Sequence, residues 1–118
     1  GYEIGKILKK ETIFCERVNK KFVLRRGFKI KKSKNVLIIE DVITTGKSSM
    51  ECVKLIKKAK ANLVGFAAII DRSSKKTLKI KKRIISHLKI DVPLYQKDKL
   101  PDELKSLPIT VPGSRFIK

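Results

Sequence analysis

Two continuous hydrophobic runs lie on either side of an amphipathic segment in the middle of the chain. The runs Val36–Ile39 and Leu63–Ile70 show no polar alternation, which is typical of strands buried on both faces of a parallel sheet. Residues 48–60 between them carry lysines on one helical face and apolar side chains on the other; the apolar positions are Cys52, Val53, Ile56 and Ala59. Strand, helix and strand in this order form a βαβ unit, so the pattern predicts an α/β fold with a parallel sheet.

Shorter elements are predicted before this unit. Apolar residues at helical spacing predict a helix over residues 2–10, and TIFCE at 12–16 is typical of a strand. Residues 17–35 contain two short β-prone pieces, KKFVL and GFKI, around an Arg-Arg-Gly sequence and among many charges. This composition predicts a mobile hairpin or loop, with the two arginines as its candidate tip.

The chain after the unit is expected to be simpler. Residues 73–83 form a Ser/Lys-rich connection, and the apolar stretch Ile84–Val92 predicts a third strand. The tail, 97–118, is interrupted by prolines, so it is expected to be irregular apart from one helical turn at 102–105.

Length and composition fit a single domain over residues 1–118. The hydrophobic share of 42% is enough to form one core. No apolar run reaches the ~18–20 residues of a membrane span, and the start of the chain carries no secretory signal. Two cysteines, Cys15 and Cys52, are too few for a disulfide scaffold. We therefore expect a cytoplasmic protein without a membrane partner, in which both cysteines and His87 have structural roles.

The charge of the chain is strongly positive. Thirty Lys and Arg against 11 Asp and Glu give a net charge of +19 at pH 7, and polycations bind nucleic acids by releasing phosphate counterions. Most of the cations are lysines, whereas bidentate phosphate and base contacts favour arginine. They are also spread along the chain, with modest clusters at 29–34 and 75–83. We therefore expect a solvated surface and no nucleic-acid partner, although the same field attracts a phosphate-rich small substrate.

Polar residues follow both strands of the predicted unit. Glu40 and Asp41 end the first strand, the loop 44–48 leads into the helix, and Asp71 and Arg72 end the second strand. In open α/β sheets, ligands bind beyond the carboxyl ends of the strands. Small residues at a helix N-terminus offer N–H groups to a phosphate, while paired carboxylates suit hydroxyls or a cation. The two features together predict a site for a phosphorylated sugar.

An ATP-binding P-loop is the competing interpretation of the same loop. Gly46-Lys47-Ser48 imitates the end of a Walker A sequence. The first glycine of that pattern would fall on Asp41, whose carboxylate would repel the phosphates. The sequence therefore disfavours a P-loop.

The segment VLIIEDVITTGKSS at 36–49 resembles the 5-phosphoribosyl-1-pyrophosphate (PRPP) motif of type I phosphoribosyltransferases. Other stretches resemble the orotate phosphoribosyltransferase family in particular: GYEIGKIL near the start, FCERV and LRRGF before the motif, VGFAAIIDRS after it and PGSR near the end. The resemblance covers nearly the whole chain in order. It implies a parallel-sheet, Rossmann-like type I phosphoribosyltransferase core with a flexible β-hairpin or loop.

The resemblance assigns roles to the residues of the motif. It implies that Glu40 and Asp41 hold the ribose hydroxyls of PRPP and that residues 44–48 cradle its 5′-phosphate. Thr44 and Arg72 would bind orotate. The full set implied for PRPP is Glu40, Asp41, Val42, Ile43, Thr44, Thr45, Gly46, Lys47 and Ser48. Lys47 departs from the family pattern, in which glycine is common at this position.

The resemblance also implies a reaction and a catalytic loop. Orotate would displace pyrophosphate from PRPP, giving orotidine 5′-monophosphate for pyrimidine synthesis, with Mg²⁺ arriving on PRPP and no metal site made of protein ligands alone. Residues 17–27 correspond to the flexible loop that covers the pyrophosphate, and Arg17 and Asp41 are the implied catalytic residues. Further candidates in the loop are Lys20, Lys21, Arg25 and Arg26.

The family is longer at the N-terminus than this chain, which begins with Gly1. We therefore expect a fragment or processed chain of a protein that is a homodimer at full length. Two alternatives stay open. Besides the enzyme, the chain could be a non-catalytic nucleotide-sensing or RNA-binding regulator on the same fold, or an inactive remnant of a truncated gene.

Overall fold

A βαβ unit forms the centre of the structure, with a hairpin before it and a further strand after it. The computed structural model describes residues 1–19, 21–75, 77–93 and 95–108. Its elements are α1 (Tyr2–Ile7), β1 (Cys15–Val18), β2 (Lys21–Leu24), β3 (Asn35–Ile43), α2 (Lys47–Lys58), β4 (Asn62–Asp71), β5 (Ile84–Lys89), a 3₁₀ turn (Lys97–Lys99) and α3 (Asp102–Lys105). The helices predicted near the start and at 102–105 are confirmed. The PGSR segment at 112–115 lies outside the described residues.

Strands β3, β4 and β5 form a sheet in that order, and both neighbouring pairs are parallel. The register aligns Ile38, Phe66 and Ile84 across the three strands. Phe66 is 2% exposed, and Val53 and Ile56 of α2 belong to the same core. Burial of side chains of this size stabilises the fold by about 1.5–3 kcal/mol each. The predicted parallel α/β fold is confirmed.

The other face of the sheet is more open. By register, Leu37, Ile69 and Ile85 lie on the face opposite the buried row, and Ile69 and Ile85 are 58% and 64% exposed. Within the described part of the chain, the expectation of burial on both faces therefore holds for one face only.

Helix α2 has the predicted amphipathic pattern. Val53 and Ile56 are buried, and the lysines of the opposite face are exposed: Lys54, Lys57 and Lys58. The helix begins at Lys47, and its first turn contains no acidic residue. The last turn contains two lysines, whose positive charges interact favourably with the negative end of the helix dipole. None of the described helices is long and apolar enough to cross a bilayer.

The hairpin before the sheet differs from its prediction. Strands β1 and β2 pair antiparallel with Val18 opposite Lys21, so the chain reverses between these residues and not at the Arg-Arg-Gly sequence. The strand expected at 12–16 begins three residues later, at Cys15, and ends at Val18, and GFKI at 27–30 forms no strand. Lys20 lies outside the described residues.

Two residues after β2 explain this difference. Arg26 and Gly27 have φ angles of 56° and 76°, and consecutive left-handed residues cannot continue a strand. The Glu16 carboxylate of β1 accepts hydrogen bonds from the guanidinium groups of Arg25 and Arg26, each at 3.1 Å. The arginines are therefore turned back onto β1 and do not form a tip.

The parallel strands also end at residues other than those at which the apolar runs of the sequence end. β3 pairs with β4 as far as Ile43, so Glu40 and Asp41 belong to the strand and not to the loop after it. β5 ends at Lys89, three residues before its predicted end, because Lys89 is paired with Asp71, the last residue of β4.

The connection at 73–83 contributes to the core, which its polar composition did not predict. Ile80 is 5% exposed and is a member of the core cluster. A Cβ at Gly46 would lie 2.7 Å from Cγ1 of Ile80, and Gly46 has a φ of 69°. Glycine alone accommodates this backbone and this contact together. Gly46 therefore allows the connection to close over the turn between β3 and α2.

Gly46→Ala should consequently destabilise the protein more than Gly27→Ala. Gly27 has a similar φ, but nothing lies within 4 Å of its Cβ position, so its replacement adds only backbone strain of about 1–2 kcal/mol. At Gly46, overpacking against Ile80 adds about 1–3 kcal/mol. Urea unfolding of both variants measures the difference. Equal losses of unfolding free energy would contradict the proposed contact.

Candidate functional site

A cavity of about 300 Å³ lies where β3 passes into α2. It is open at the carboxyl edge of the sheet, where ligands of α/β proteins bind. Its lining residues are Phe22, Glu40, Asp41, Val42, Ile43, Thr44, Thr45, Gly46, Lys47, Ser48 and Ser49. The structure thus brings together all nine residues predicted for PRPP and adds Phe22 and Ser49 to them.

The two carboxylates of the cavity are held differently. Successive strand residues point to opposite faces of a sheet, so Glu40 points toward α2 and Asp41 points away from it. The Ser49 hydroxyl donates to Glu40 Oε1 at 2.8 Å. The backbone N–H of Val42 donates to Asp41 Oδ1 at 2.7 Å, and Asp41 is exposed. Glu40 is therefore fixed by the protein, whereas Asp41 keeps an oxygen available to a ligand.

Ser49 is one of the two lining residues that the sequence analysis missed. It is 1% exposed, and its hydroxyl is satisfied by Glu40. The missed signal is periodic: Ser49, Val53 and Ile56 lie at helical spacing on one face, and a polar residue on a buried face needs a hydrogen-bond partner. The carboxylate that completes this pair comes from the preceding strand.

The loop before α2 has the geometry of an anion site. Gly46 is the N-cap of α2, and the first amides of a helix have no intrahelical acceptors. The Lys47 N–H donates to the Thr45 hydroxyl at 3.3 Å, a long contact that a phosphate oxygen can replace. Thr44 and Ser48, which both carry hydroxyl groups, line the same cavity. Together these groups can receive one phosphate with the helix dipole behind it.

Arg72 lies at the same sheet edge but outside the cavity lining. Its backbone N–H donates to the Ile43 carbonyl at 2.8 Å, and the residue is exposed. Asp71 beside it is 4% exposed and accepts the Ser73 N–H at 2.9 Å. Lys89 lies 3.8 Å from the other Asp71 oxygen. The buried carboxylate therefore fixes the turn from which Arg72 extends.

Arg17 lies at the rim of the site. Its guanidinium is 3.2 Å from Glu51 on α2 and stacks over the Phe22 ring at 4.2 Å. Phe22 itself lines the cavity. Arg25 and Arg26 are paired with Glu16 and do not line it. Of the described loop cations, Arg17 is therefore the one connected most directly to the cavity.

Comparison with known proteins identifies the family. Residues 6–97 match the phosphoribosyl transferase domain family. The chain belongs to the phosphoribosyltransferases. It is 45% identical over 117 residues to the orotate phosphoribosyltransferase of Parvibaculum lavamentivorans, an alignment that covers 99% of this chain and 60% of that protein. It is 41% identical over 118 residues to that of Caulobacter vibrioides, with 100% and 60% covered. The chain thus spans about 60% of the length of these curated relatives.

Solved structures agree on the fold. Adenine phosphoribosyltransferase from Leishmania tarentolae superposes with a TM-score of 0.61 at 19% identity, covering 77% of this chain and 56% of that chain. The enzyme of the same name from Thermoanaerobacter pseudethanolicus gives 0.58 at 13% identity, covering 76% and 62%. At these identities the likeness shows a shared type I phosphoribosyltransferase fold.

In the described part of this phosphoribosyltransferase, the cysteines, the histidine and the remaining carboxylates mark no second catalytic or metal site. Burial raises the pKa of the Cys15 thiol and raises that of Cys52 to about 12, which disfavours the nucleophilic thiolate form of both residues. His87 is exposed on β5. Among the described residues, no group of three His, Cys, Asp or Glu side chains is placed to hold a metal ion.

The pair of Ser49 and Glu40 gives a prediction that needs no ligand. Hydrogen bonds to charged groups contribute about 1.5–3 kcal/mol, so Ser49→Ala should lower the unfolding free energy by roughly that amount. A double-mutant cycle with Glu40→Ala, followed by urea unfolding, should give a coupling energy above about 1 kcal/mol. A coupling indistinguishable from zero would show that the two side chains act independently.

Proposed function

We propose that this chain is the PRPP-binding core of an orotate phosphoribosyltransferase, which forms orotidine 5′-monophosphate and pyrophosphate from PRPP and orotate in pyrimidine synthesis. The observation that carries the proposal is the cavity, in which every residue predicted for PRPP meets. The identity of 38–45% to relatives named orotate phosphoribosyltransferase, over nearly the whole chain, supports orotate as the base.

The chemistry of the cavity suits the two ends of a ribose 5-phosphate group. The 5′-phosphate would lie against the amides at the start of α2 and the hydroxyls of Thr44 and Ser48. The ribose hydroxyls would donate to Glu40 and Asp41, because carboxylates accept two hydrogen bonds from a diol without loss of charge. Lys47 is exposed beside the loop and adds one positive charge near the phosphate.

Orotate would bind between Thr44 and Arg72. A guanidinium group binds a carboxylate through two parallel hydrogen bonds, which suits the carboxylate of orotate. The backbone N–H of Arg72 donates to the carbonyl of Ile43, the residue that precedes Thr44 in the sequence. The Cα of Arg72 is therefore held near Thr44. Its exposed side chain is long enough to reach toward a base held there.

Catalysis would depend on charge stabilisation. As pyrophosphate leaves, positive charge develops on the ribose and negative charge on the leaving group, and fixed charges aimed at both lower the barrier. Asp41 would face the ribose cation. Arg17 would face the pyrophosphate after leaving Glu51, and a surface ion pair of this kind contributes only about 0–1 kcal/mol. The exchange of Glu51 for a pyrophosphate oxygen is therefore inexpensive.

Mg²⁺ fits this cavity only together with the substrate. Mg²⁺ commonly binds through one or two carboxylates and substrate phosphates, with water completing its shell. Glu40 and Asp41 supply two carboxylates, too few for a site made by the protein alone. When bound, the ion would neutralise charge on the pyrophosphate oxygens.

We also infer that the complete protein is a cytoplasmic homodimer, an inference supported by the family resemblance.

Calorimetric titration of the chain with Mg²⁺ and PRPP tests the binding site. Asp41→Asn should weaken binding by at least tenfold, which corresponds to ~1.4 kcal/mol. Asp102→Asn makes the same chemical change on α3, where the side chain is 92% exposed, and should alter the affinity less than twofold. A folded wild-type chain that does not bind PRPP, or equal effects of both substitutions, would contradict the proposal.

Turnover distinguishes the enzyme from a non-catalytic regulator on the same fold. Orotate and adenine are offered separately with PRPP, to the chain alone and to the chain mixed with the complementary segment of the Parvibaculum relative. We expect orotate, and not adenine, to be consumed together with PRPP. PRPP binding without consumption of either base, in both preparations, would favour the regulator.

A further inference from the structure

Cations from three separate parts of the sequence meet at the amino edge of the sheet. We call this cluster the basic pole; its members are Lys31, Lys32, Lys34, Lys57, Lys58, Lys60, Lys81, Lys82 and Arg83. The first three precede β3 and the last three precede β5; Lys57 and Lys58 end α2, and Lys60 lies between α2 and β4. All nine residues are exposed.

The topology explains why they meet. Segments that precede parallel strands lie at one edge of the sheet, and the crossover helix returns the chain to that edge. Two backbone hydrogen bonds join the segments: Ser33 N–H to the Lys60 carbonyl at 2.9 Å, and Asn62 N–H to the Lys34 carbonyl at 2.8 Å. Lys82 Nζ donates to the Leu63 carbonyl at 3.2 Å. Lysines that are far apart in sequence are therefore neighbours in the fold.

The basic pole contains no balancing acid. The sequence has no Asp or Glu between Glu16 and Glu40, between Glu51 and Asp71, or between Asp71 and Asp91. Each ion pair of the described chain involves other cations: Arg17, Arg25, Arg26, Lys89 and Lys105. Nine like charges without a carboxylate repel one another, and a polyanion would relieve that repulsion.

We propose that the basic pole binds the phosphate backbone of a nucleic acid without reading its sequence. The spread of lysines along the chain argued against such a partner, but the fold gathers nine cations at one edge. Eight of them are lysines, which bind phosphates as point charges. None of the three segments contains an aromatic residue on which a base could stack. The chemistry therefore favours contact with phosphates alone.

The basic pole lies far from the PRPP cavity. The cavity is at the carboxyl end of β3, and the nine residues of that strand span about 26 Å at ~3.3 Å per residue. This separation exceeds the Debye length of about 8 Å at physiological salt. Charge changes at the basic pole should therefore leave PRPP binding intact, and the proposal does not depend on the proposed enzymatic function.

Fluorescence anisotropy with a labelled 20-nucleotide RNA of mixed sequence tests the proposal. The pole variant replaces Lys32, Lys34, Lys58 and Lys60 with Gln. A matched variant removes the same charge elsewhere by replacing Lys6, Lys9, Lys10 and Lys99 with Gln, all of which are exposed. Thermal unfolding confirms that both variants fold.

The pole variant should lose at least tenfold in affinity, and its plot of log K against log salt should become shallower by about 3, because four phosphate contacts are lost at ~0.7–0.9 each. The matched variant should lose less than threefold. DNA of the same length should compete with the RNA. Absence of RNA binding by the wild-type chain at 0.1 M salt, equal losses in both variants, or competition by inorganic polyphosphate but not by DNA would overturn the proposal.

Discussion

The pairing of β3 with β4 as far as Ile43 and Asp71 is the constraint on which the site depends. Because the strand continues through Glu40 and Asp41, the alternation of side chains directs one carboxylate to α2 and the other to the opposite face. The same pairing brings Arg72 next to the Ile43 carbonyl. A shorter β3 would leave both carboxylates in a flexible loop and would separate the proposed phosphate and base ends of the site.

Two buried polar side chains secure this edge. Ser49 and Asp71 are the described polar residues with almost no exposure, and each has its partner at the carboxyl end of the sheet. Burial of such groups without hydrogen bonds costs about 1–3 kcal/mol, so the contacts are also requirements of folding. Gly46 completes the arrangement, because its left-handed backbone lets Ile80 pack over the turn that begins α2. Stability and the shape of the cavity therefore depend on the same few residues.

The sequence predicted the parts of this structure that local patterns determine. The apolar runs and the amphipathic helix were enough for the βαβ unit, and the contiguous motif was enough for the nine residues that meet in the cavity. The hairpin was misplaced because the left-handed residues Arg26 and Gly27, and not strand propensity, end β2. The Ser49–Glu40 contact and the basic pole could not be seen, since both join residues that only the fold brings together.

A crystal structure of the chain with Mg²⁺ and PRPP would locate each end of the ligand and would decide whether the cavity is the PRPP site. The proposed function predicts the 5′-phosphate within hydrogen-bond distance of the amides at the start of α2 and the ribose hydroxyls against Glu40 and Asp41. It also predicts Ser49 still bound to Glu40. A phosphate placed elsewhere on the molecule, for example at the basic pole, with the cavity empty, would contradict it.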